Sequence, residues 1–407
     1  MPESPPTPPN TGTLESRLRD QCSRLTEAMA SAVAPLADPA AVSPTDLSRQ
    51  LRIDKTLAGR LLRALRTDDP LHAASLMPGT QGLELILRAL ARAGVEREGI
   101  RRAESVLAGF DEFTRREVGG RGALEAILTG FVPDARRSAE LKGKQAVFSA
   151  MSRLIGCEAR AHIVTNFCFP SADPDWFDEV LAHGFAGFRR LNPRASFCVG
   201  QALTNPPPGA PPIIETAEGG RVTEAGKTLL SDYCSNPTPR FEVRPVPGGV
   251  HYMLEGDGCG LGEEVAFFFA QIARRSGYRR RHGDYAWEAI SAMEFSPSRV
   301  LQFDVFVHES LWNGVQPELW ISRRMISGQS RSRDADYYDR LDLLESIMPL
   351  GRGLSGAGSG EMRQYGAMAR SLCALTGFPE TEFRGYRCHI RYPVVGSDVC
   401  MRFRLPE

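Results

Sequence analysis

The sequence contains few of the features that identify a chemical function directly. Basic and acidic residues both number 49 among 407, so the chain has no net charge that would attract it as a whole to a polyanion. Its nine cysteines form no Cys-x-x-Cys pair, which argues against the common zinc modules and favours reduced thiols. No apolar run approaches the roughly 20 residues that span a bilayer. We therefore expect a cytoplasmic protein without a membrane partner.

Motifs for catalysis or cofactor binding are also missing or incomplete. Residues 351–356 match GxGxxG, but they follow Pro349 instead of a strand, so we interpret them as a flexible loop. The overlapping stretch 353–357 begins like the GxSxG pattern of a nucleophile elbow, but it ends in Ala357 instead of glycine, so it is not one. His308-Glu309 lacks the second histidine of a zinc-protease helix. We therefore expect no catalytic residue, no metal and no cofactor.

Length and hydrophobic periodicity divide the chain into a helical part and a mixed part. A chain of 407 residues exceeds one ordinary core, so two or three domains are expected. The expected divisions are a disordered tail at 1–13, a first helical domain at 14–80, a helical connector that offers a dimer contact at 81–156, and a mixed domain at 157–407, in which a further division near 205–240 is left open. The sequence therefore predicts an α+β protein: an all-α N-terminal part, then mixed α/β with a largely antiparallel sheet.

Individual elements follow from the same patterns. Helices are expected at 14–34, 82–93, 96–117, 121–131, 134–155, 175–191, 262–276, 283–293, 334–346 and 360–376, with a loop at 72–82. Strands are expected at 160–169, 196–203, 249–255 and 301–308, with 318–325 as a partner of the last.

The stretch 43–66 has the most specific pattern in the chain. Ser43 suits a helix N-cap, Pro44 suits the first helical position, and Asp46 follows the cap by three residues. Arg52 and Ile53 form a turn, after which Asp54 caps a second helix. The second helix has a buried stripe formed by Leu57, Leu61, Ala64 and Leu65. Two short helices joined by a tight turn are therefore predicted.

The opposite face of the second helix is polar and basic. It presents Lys55, Thr56, Gly59, Arg60 and Arg63. From 46 to 66 there are six basic residues and two acidic ones, an excess of four in a neutral chain. Such a local excess fits a surface that faces phosphates. Gly59 costs a helix roughly 1 kcal/mol relative to alanine, and a helix pressed against DNA would give it a purpose.

The order of residues 46–65 resembles the helix-turn-helix regulators of bacteria. The small residue Ser48, the apolar plug Ile53 and the polar start of the second helix carry the resemblance, while Arg52 replaces the usual turn glycine. The resemblance implies a transcriptional regulator that binds double-stranded DNA, usually as a homodimer, with a C-terminal domain for effector sensing or assembly. The residues implied to contact DNA are Lys55, Thr56, Gly59, Arg60 and Arg63. In winged members of this family a β-hairpin, the wing, follows the second helix, but residues 67–82 show no clear strand pair that could form it.

Two other functions stay open. The two helices could be a hairpin that packs against the 14–34 helix, in an interaction or assembly factor. The C-terminal half could also hold an enzyme site that no motif reveals.

The C-terminus predicts a cationic hairpin. Segments 388–395 and 398–405 flank Gly396-Ser397, a type II′ turn pattern. This register places Arg391 opposite Arg402 and His389 opposite Arg404. Because like charges opposite each other in a sheet repel, we expect something to compensate the repulsion between these residues. It could come from carboxylates such as Asp304 or Glu309, from solvent, or from an anionic effector or partner.

A second basic run comprises 274–275 and 279–282. It is expected in a loop that is solvated or touches nucleic acid.

Overall fold

The computed structural model describes residues 13–203, 213–216, 228–246, 249–256, 258–283, 285–323 and 340–407. The predicted tail, 1–13, lies almost wholly outside these residues. The chain divides into two compact units between Glu140 and Leu141. The first unit is helical and the second is built mainly from antiparallel strands, which confirms the predicted α+β class. None of the described helices is long and apolar enough to cross a bilayer.

The first unit contains seven of the described helices, and an eighth crosses the boundary between the units. They are α1 (Leu14–Val33), α2 (Pro44–Leu51), α3 (Lys55–Leu65), α4 (Pro70–Leu76), α5 (Thr80–Arg92), α6 (Arg97–Phe113), α7 (Arg121–Phe131) and α8 (Pro133–Ile155), with a π-helical turn at Thr114–Val118. A single apolar core extends from Leu18 in α1 to Val132. The helices predicted at 14–34, 82–93, 96–117, 121–131 and 134–155 are confirmed.

The loop predicted at 72–82 is wrong in its first half, because α4 occupies it. Asp69 caps this helix by accepting a hydrogen bond from the backbone N–H of Leu71 at 3.3 Å. Pro70 lies in the first turn, where its fixed φ fits a helix and its missing N–H costs nothing. The proline therefore begins a helix as well as preventing continuation of the previous one. The described residues 67–82 contain no strand, so no wing follows α3.

The second unit contains three sheets and α9 (Tyr365–Ala374). Its described strands are β1 (Cys157–Pro170), β2 (Trp176–Arg190), β3 (Cys198–Leu203), β4 (Ile213–Thr216), β5 (Phe241–Val246), β6 (Gly249–Leu254), β7 (Val265–Tyr278), β8 (Trp287–Met293), β9 (Val300–His308), β10 (Glu318–Arg323), β11 (Ile347–Arg352), β12 (Phe383–Arg391) and β13 (Ser397–Arg404). The largest sheet has the order β11-β12-β9-β1-β2-β7-β4, and only its β1–β9 pair is parallel. The smaller sheets have the orders β10-β13-β8 and β3-β6-β5.

Three predicted helices are strands in the structure. Segments 175–191, 262–276 and 283–293 form β2, β7 and β8. Both β2 and β7 lie inside the large sheet, where each has apolar layers on both faces, so their apolar residues run on without the alternation of a half-buried strand. The helix predicted at 360–376 is confirmed as α9. Of 334–346, only 340–346 is described, and it is not helical.

The large sheet is covered on both faces. α9 packs on one face through Tyr365, Met368 and Leu372. On the other face Phe303 and Val305 of β9 meet Met401 and Phe403 of β13. The strand predicted at 301–308 is thus confirmed as β9. Its polar face is buried as well as its apolar face, since Gln302 and Asp304 are 1% and 0% exposed. The predicted partner of β9, β10, belongs instead to the sheet of β13.

The predicted C-terminal hairpin is wrong. β12 pairs with β9 and β11, whereas β13 pairs with β8 and β10. The connection 392–396 carries the chain from one sheet to the other, and Gly396 has a φ of 85° there. Ile390 of β12 and Phe403 of β13, which a hairpin of this register would place opposite each other, are both buried between the two sheets instead. Two strands with apolar residues on one face can pair in a single sheet, or they can lie in two sheets that pack face to face. The sequence pattern is the same in both arrangements.

Candidate nucleic-acid interface

The start of α2 is fixed by a capping arrangement. The Ser43 side chain accepts a hydrogen bond from the Asp46 N–H at 3.1 Å, and its hydroxyl donates to Asp46 Oδ2 at 2.6 Å. Asp46 also binds Arg49 at 3.1 Å, within the same turn of helix. The carboxylate therefore stabilises the helix end twice, through the cap and through its favourable position near the N-terminal dipole.

A three-residue turn joins α2 to α3. Arg52 adopts the left-handed conformation, with φ 54° and ψ 46°, and its N–H donates to the Ser48 carbonyl. The Ser48 hydroxyl donates to the Ile53 carbonyl at 2.7 Å, and Ile53 packs against the apolar core. A side chain in this backbone conformation is strained, and glycine would avoid the strain. The arginine is exposed, so it makes no steric conflict beyond its own backbone.

Asp54 fixes the first turn of α3. Its carboxylate accepts hydrogen bonds from the backbone N–H groups of Thr56 at 2.7 Å and Leu57 at 3.2 Å. Hydrogen bonds to the Thr56 side chain and backbone lower the pKa of this carboxyl below its usual range. A fixed carboxylate at this position satisfies the exposed donors of the helix start.

The inner faces of α2 and α3 pack into the apolar core, and these contacts fix the position of each helix relative to the other. Leu47 and Leu51 of α2, with Leu61 and Leu62 of α3, are at most 3% exposed. Leu57 and Leu65 are partly buried against the same core. The two-helix geometry is therefore maintained by apolar packing as well as by the caps.

The six basic residues of 46–66 have three different environments. Arg49 is paired with Asp46. Arg60 is half-buried and donates to the carbonyls of Leu76 and Met77, at 3.4 and 3.0 Å, and Arg66 donates to the carbonyls of Pro39 and Val42, at 2.8 and 2.6 Å. The remaining three are exposed, and none makes an ion pair with a carboxylate of the described chain: Arg52, Lys55 and Arg63.

The predicted DNA-contacting residues therefore separate into two groups. Lys55, Thr56 and Arg63 are exposed on α3, as the sequence analysis expected. Arg60 connects α3 to the end of α4. Gly59 lies beside α2, where an added Cβ would be 3.7 Å from Pro44 Cβ, an ordinary contact. The structure therefore gives this glycine no close approach that an alanine would prevent.

The predicted anion site is not assembled. His389 and Arg391 lie on β12 in the large sheet, whereas Arg402 and Arg404 lie on β13 in the small sheet. His389 Nε2 is 4.0 Å from Glu361, and Arg391 lies over the ring of Tyr392. The register with β9 places Arg387, not Arg391, opposite Asp304. The second suggested carboxylate, Glu309, pairs with Arg352.

A buried polar cluster that the sequence analysis missed lies under α9. Arg387 binds Asp304 with two hydrogen bonds, 2.7 and 2.6 Å long. The Tyr365 hydroxyl donates to the same carboxylate and is 3.0 Å from Thr165 Oγ1. Burial raises the pKa of Asp304, against the lowering effect of the arginine. The pairing was not visible in the sequence because the four residues lie on four separate elements.

No protein-family model, curated protein or solved structure matches the chain. In the described residues no group of histidine, cysteine, aspartate and glutamate side chains could hold a metal ion. The exposed surface of α2 and α3 is the candidate site that the described residues define best.

Proposed function

We propose that the protein is a DNA-binding transcriptional regulator of the cytoplasm whose helix α3 enters the major groove. The observation that supports this most is the exposed basic face on a capped helix-turn-helix: Arg52, Lys55 and Arg63 have no carboxylate partner among the described residues. Cations without a carboxylate partner are available to replace the counterions of phosphates. Thr56 lies among them and can bond to a base edge.

The spacing of these residues suits a groove. Lys55 and Arg63 are eight positions apart, which is about 12 Å along a helix. Two cations this far apart on one helix can contact different phosphates beside the groove that holds the helix. Lys55 and Thr56, at the start of α3, occupy the positions from which recognition helices contact bases. Arg60 is tied to the end of α4 by its hydrogen bonds to the carbonyls of Leu76 and Met77, so the proposal assigns it and Gly59 no base contact.

The proposal includes a homodimer. A single short helix gives little affinity for DNA, whereas a dimer combines the binding free energies of two half-sites. The second unit then senses an effector, either a small molecule or an anion, or mediates assembly. These parts follow from the resemblance to one-component regulators, and the DNA interface can be tested independently of them.

The test is a salt titration of binding to a random-sequence DNA duplex, with the full chain and fluorescence anisotropy. The variant Arg52→Gln/Lys55→Gln/Arg63→Gln should lose most of its low-salt affinity, and its slope of log affinity against log salt should fall by up to about 3. The matched control is Arg97→Gln/Arg101→Gln/Arg102→Gln, which removes the same charge from the exposed face of α6.

The control should bind nearly as well as the native chain. An equal loss in both variants would show that only total charge matters. Absence of duplex binding at low salt would reject the proposal and favour a role for the two helices in protein assembly.

A further inference from the structure

A small cavity in the second unit lies between β3 and the segment that follows β8. Its volume is about 220 Å³. The described residues of its wall include Phe197, Cys198, Gly200, Met293, Phe295 and Ser296. An apolar cavity of roughly 150 Å³ can hold a benzene molecule, so this cavity is large enough for a ligand of one or two rings.

Buried polar contacts hold the wall that follows β8 in place. Glu294 is 0% exposed and lies between the two wall residues Met293 and Phe295. Its carboxylate accepts a hydrogen bond from the Ser298 hydroxyl at 3.0 Å and is 3.1 Å from Nδ1 of His162. Its backbone N–H and carbonyl are also bonded, at 3.0 and 2.7 Å, to residues 396–397. The cavity is therefore built before any ligand enters.

The wall formed by β3 contains a β-bulge. The register with β6 shifts between Cys198 and Gly200, and the Cys198 thiol donates to the Gly200 carbonyl at 3.3 Å. Bulges redirect side chains and are common beside functional sites. A Cβ on Gly200 would lie 2.8 Å from Cε1 of His183 on β2, which is too close for a side chain. The ring of His183 therefore borders the cavity wall.

The cavity offers no charge to a ligand. Its described wall contains no arginine, lysine, aspartate or glutamate. Burial raises the pKa of the Cys198 thiol and lowers the pKa of His183 to about 3, so both groups are neutral. The guanidinium of Arg190 lies behind Phe197, 5.0 Å from the ring centroid, and donates to two backbone carbonyls. An ion would leave water for a site without an opposite charge, which is unfavourable.

Two histidine nitrogens beside the cavity have no hydrogen-bond partner in the described chain. They are Nε2 of His162 and Nδ1 of His183, and both atoms are buried. His162 contacts the wall residue Phe295 edge to face, with 5.6 Å between the ring centroids. Buried polar atoms are normally paired, so these two point to a hydrogen-bonding group that enters the site.

We propose that this cavity binds an uncharged aromatic effector of one or two rings that carries a hydroxyl or ring N–H group. The rings of Phe197 and Phe295 and the sulfur of Met293 favour an aromatic ligand. The Ser296 hydroxyl and the Cys198 thiol are the polar groups of the wall. As an effector site the cavity rests on the proposed regulator function, whereas binding itself is measured without DNA.

The test uses the native full chain and indole, which has two rings, one N–H and no charge. Iodoacetamide alkylates the chain at alkaline pH, and peptide mass spectrometry measures the rate at each cysteine. With indole at about ten times its dissociation constant, alkylation of Cys198 should slow roughly 10-fold, because only the empty site reacts. Cys234 is partly buried and Cys259 is exposed, so both serve as internal controls whose rates should stay the same.

Benzoate at the same concentration should protect none of these cysteines. Protection of Cys198 by benzoate as strong as that by indole would contradict an uncharged ligand. No protection by indole, or equal protection of all three cysteines, would overturn the proposed site.

A pair of matched variants tests the location by calorimetry. Cys198→Phe fills the cavity and should abolish indole binding, whereas Cys259→Phe makes the same change at an exposed position and should bind indole like the native chain. Equal indole affinity in both variants would also reject the site. The variant Arg52→Gln/Lys55→Gln/Arg63→Gln should bind indole unchanged, so failure of the DNA proposal and failure of this one are distinguishable.

Discussion

Arg52 shows how one residue can combine local strain with a surface charge. Its φ of 54° is a conformation that favours glycine, and its side chain points to solvent without a carboxylate partner in the described residues. The structure therefore preserves the turn with a less suitable residue, which also adds a positive charge to the proposed DNA surface.

We predict that Arg52→Gly stabilises the protein and weakens DNA binding. Removing the side chain relieves roughly 1 kcal/mol of backbone strain but also removes one phosphate contact. Urea unfolding and duplex anisotropy measure the two effects. Arg49→Gly is the control inside α2, where glycine should destabilise by roughly 1 kcal/mol. A stability loss at Arg52 would contradict the assigned turn.

Asp54 predicts a pH dependence at the same site. Because hydrogen bonds lower its pKa in the folded state, its carboxylate contributes stability above the unfolded pKa, and this contribution is lost as the pH falls through the folded pKa. Asp54→Ala should lower stability at neutral pH, because the N-cap hydrogen bonds are lost, and should make stability fall less steeply as the pH is lowered. If the free energy of unfolding falls equally steeply at low pH in both proteins, the protonation of Asp54 is not linked to folding.

At the scale of elements, β12 shows what sequence patterns could and could not predict. Its alternation correctly indicated a strand with a buried side, yet the same alternation suggested the wrong partner. Pairing was decided by β9, whose buried Asp304 lies opposite Arg387. A one-residue shift would leave that carboxylate buried without its partner, so the ion pair specifies the register.

We predict that Arg387→Ala destabilises the second unit by roughly 3–5 kcal/mol, because Asp304 would remain buried without its arginine. Arg391→Ala is the matched control on the same strand: it is exposed and has no carboxylate partner in the described chain, so its effect should stay within about 0.5 kcal/mol. Denaturant unfolding monitored by near-ultraviolet circular dichroism provides the measurement. Similar losses in both variants would contradict the proposed role of the pair.

For the whole molecule, each unit has its own core. The helical unit up to residue 140 buries the side chains of α1 through α7 together, whereas the second unit has three separate clusters around its sheets. Helices and sheets are thus segregated along the chain, as the change of pattern near residue 156 indicated. Independent cores favour independent unfolding.

We predict two thermal transitions for the full chain. Arg387→Ala should lower the temperature of only one of them, and a fragment of residues 13–140 should be helical and should reproduce the other. Differential scanning calorimetry and far-ultraviolet circular dichroism are the measurements. A single transition, shifted as a whole by the substitution, would show that the two units unfold together.

The sequence by itself determined the features that depend on neighbours along the chain. These features include the caps at Ser43 and Asp54, the amphipathic stripes of the N-terminal helices and the strand pattern of β9. Each depends only on residues a few positions apart. Tertiary structure decided the features that depend on distant residues. The segments of β2 and β7 became strands because α9 covers one of their faces and the β3-β6-β5 sheet covers the other. Arg60 acquired carbonyl partners only when α4 formed. Arg402 was likewise separated from Arg391 and placed between two tryptophans, because strand pairing brings together residues far apart in the chain.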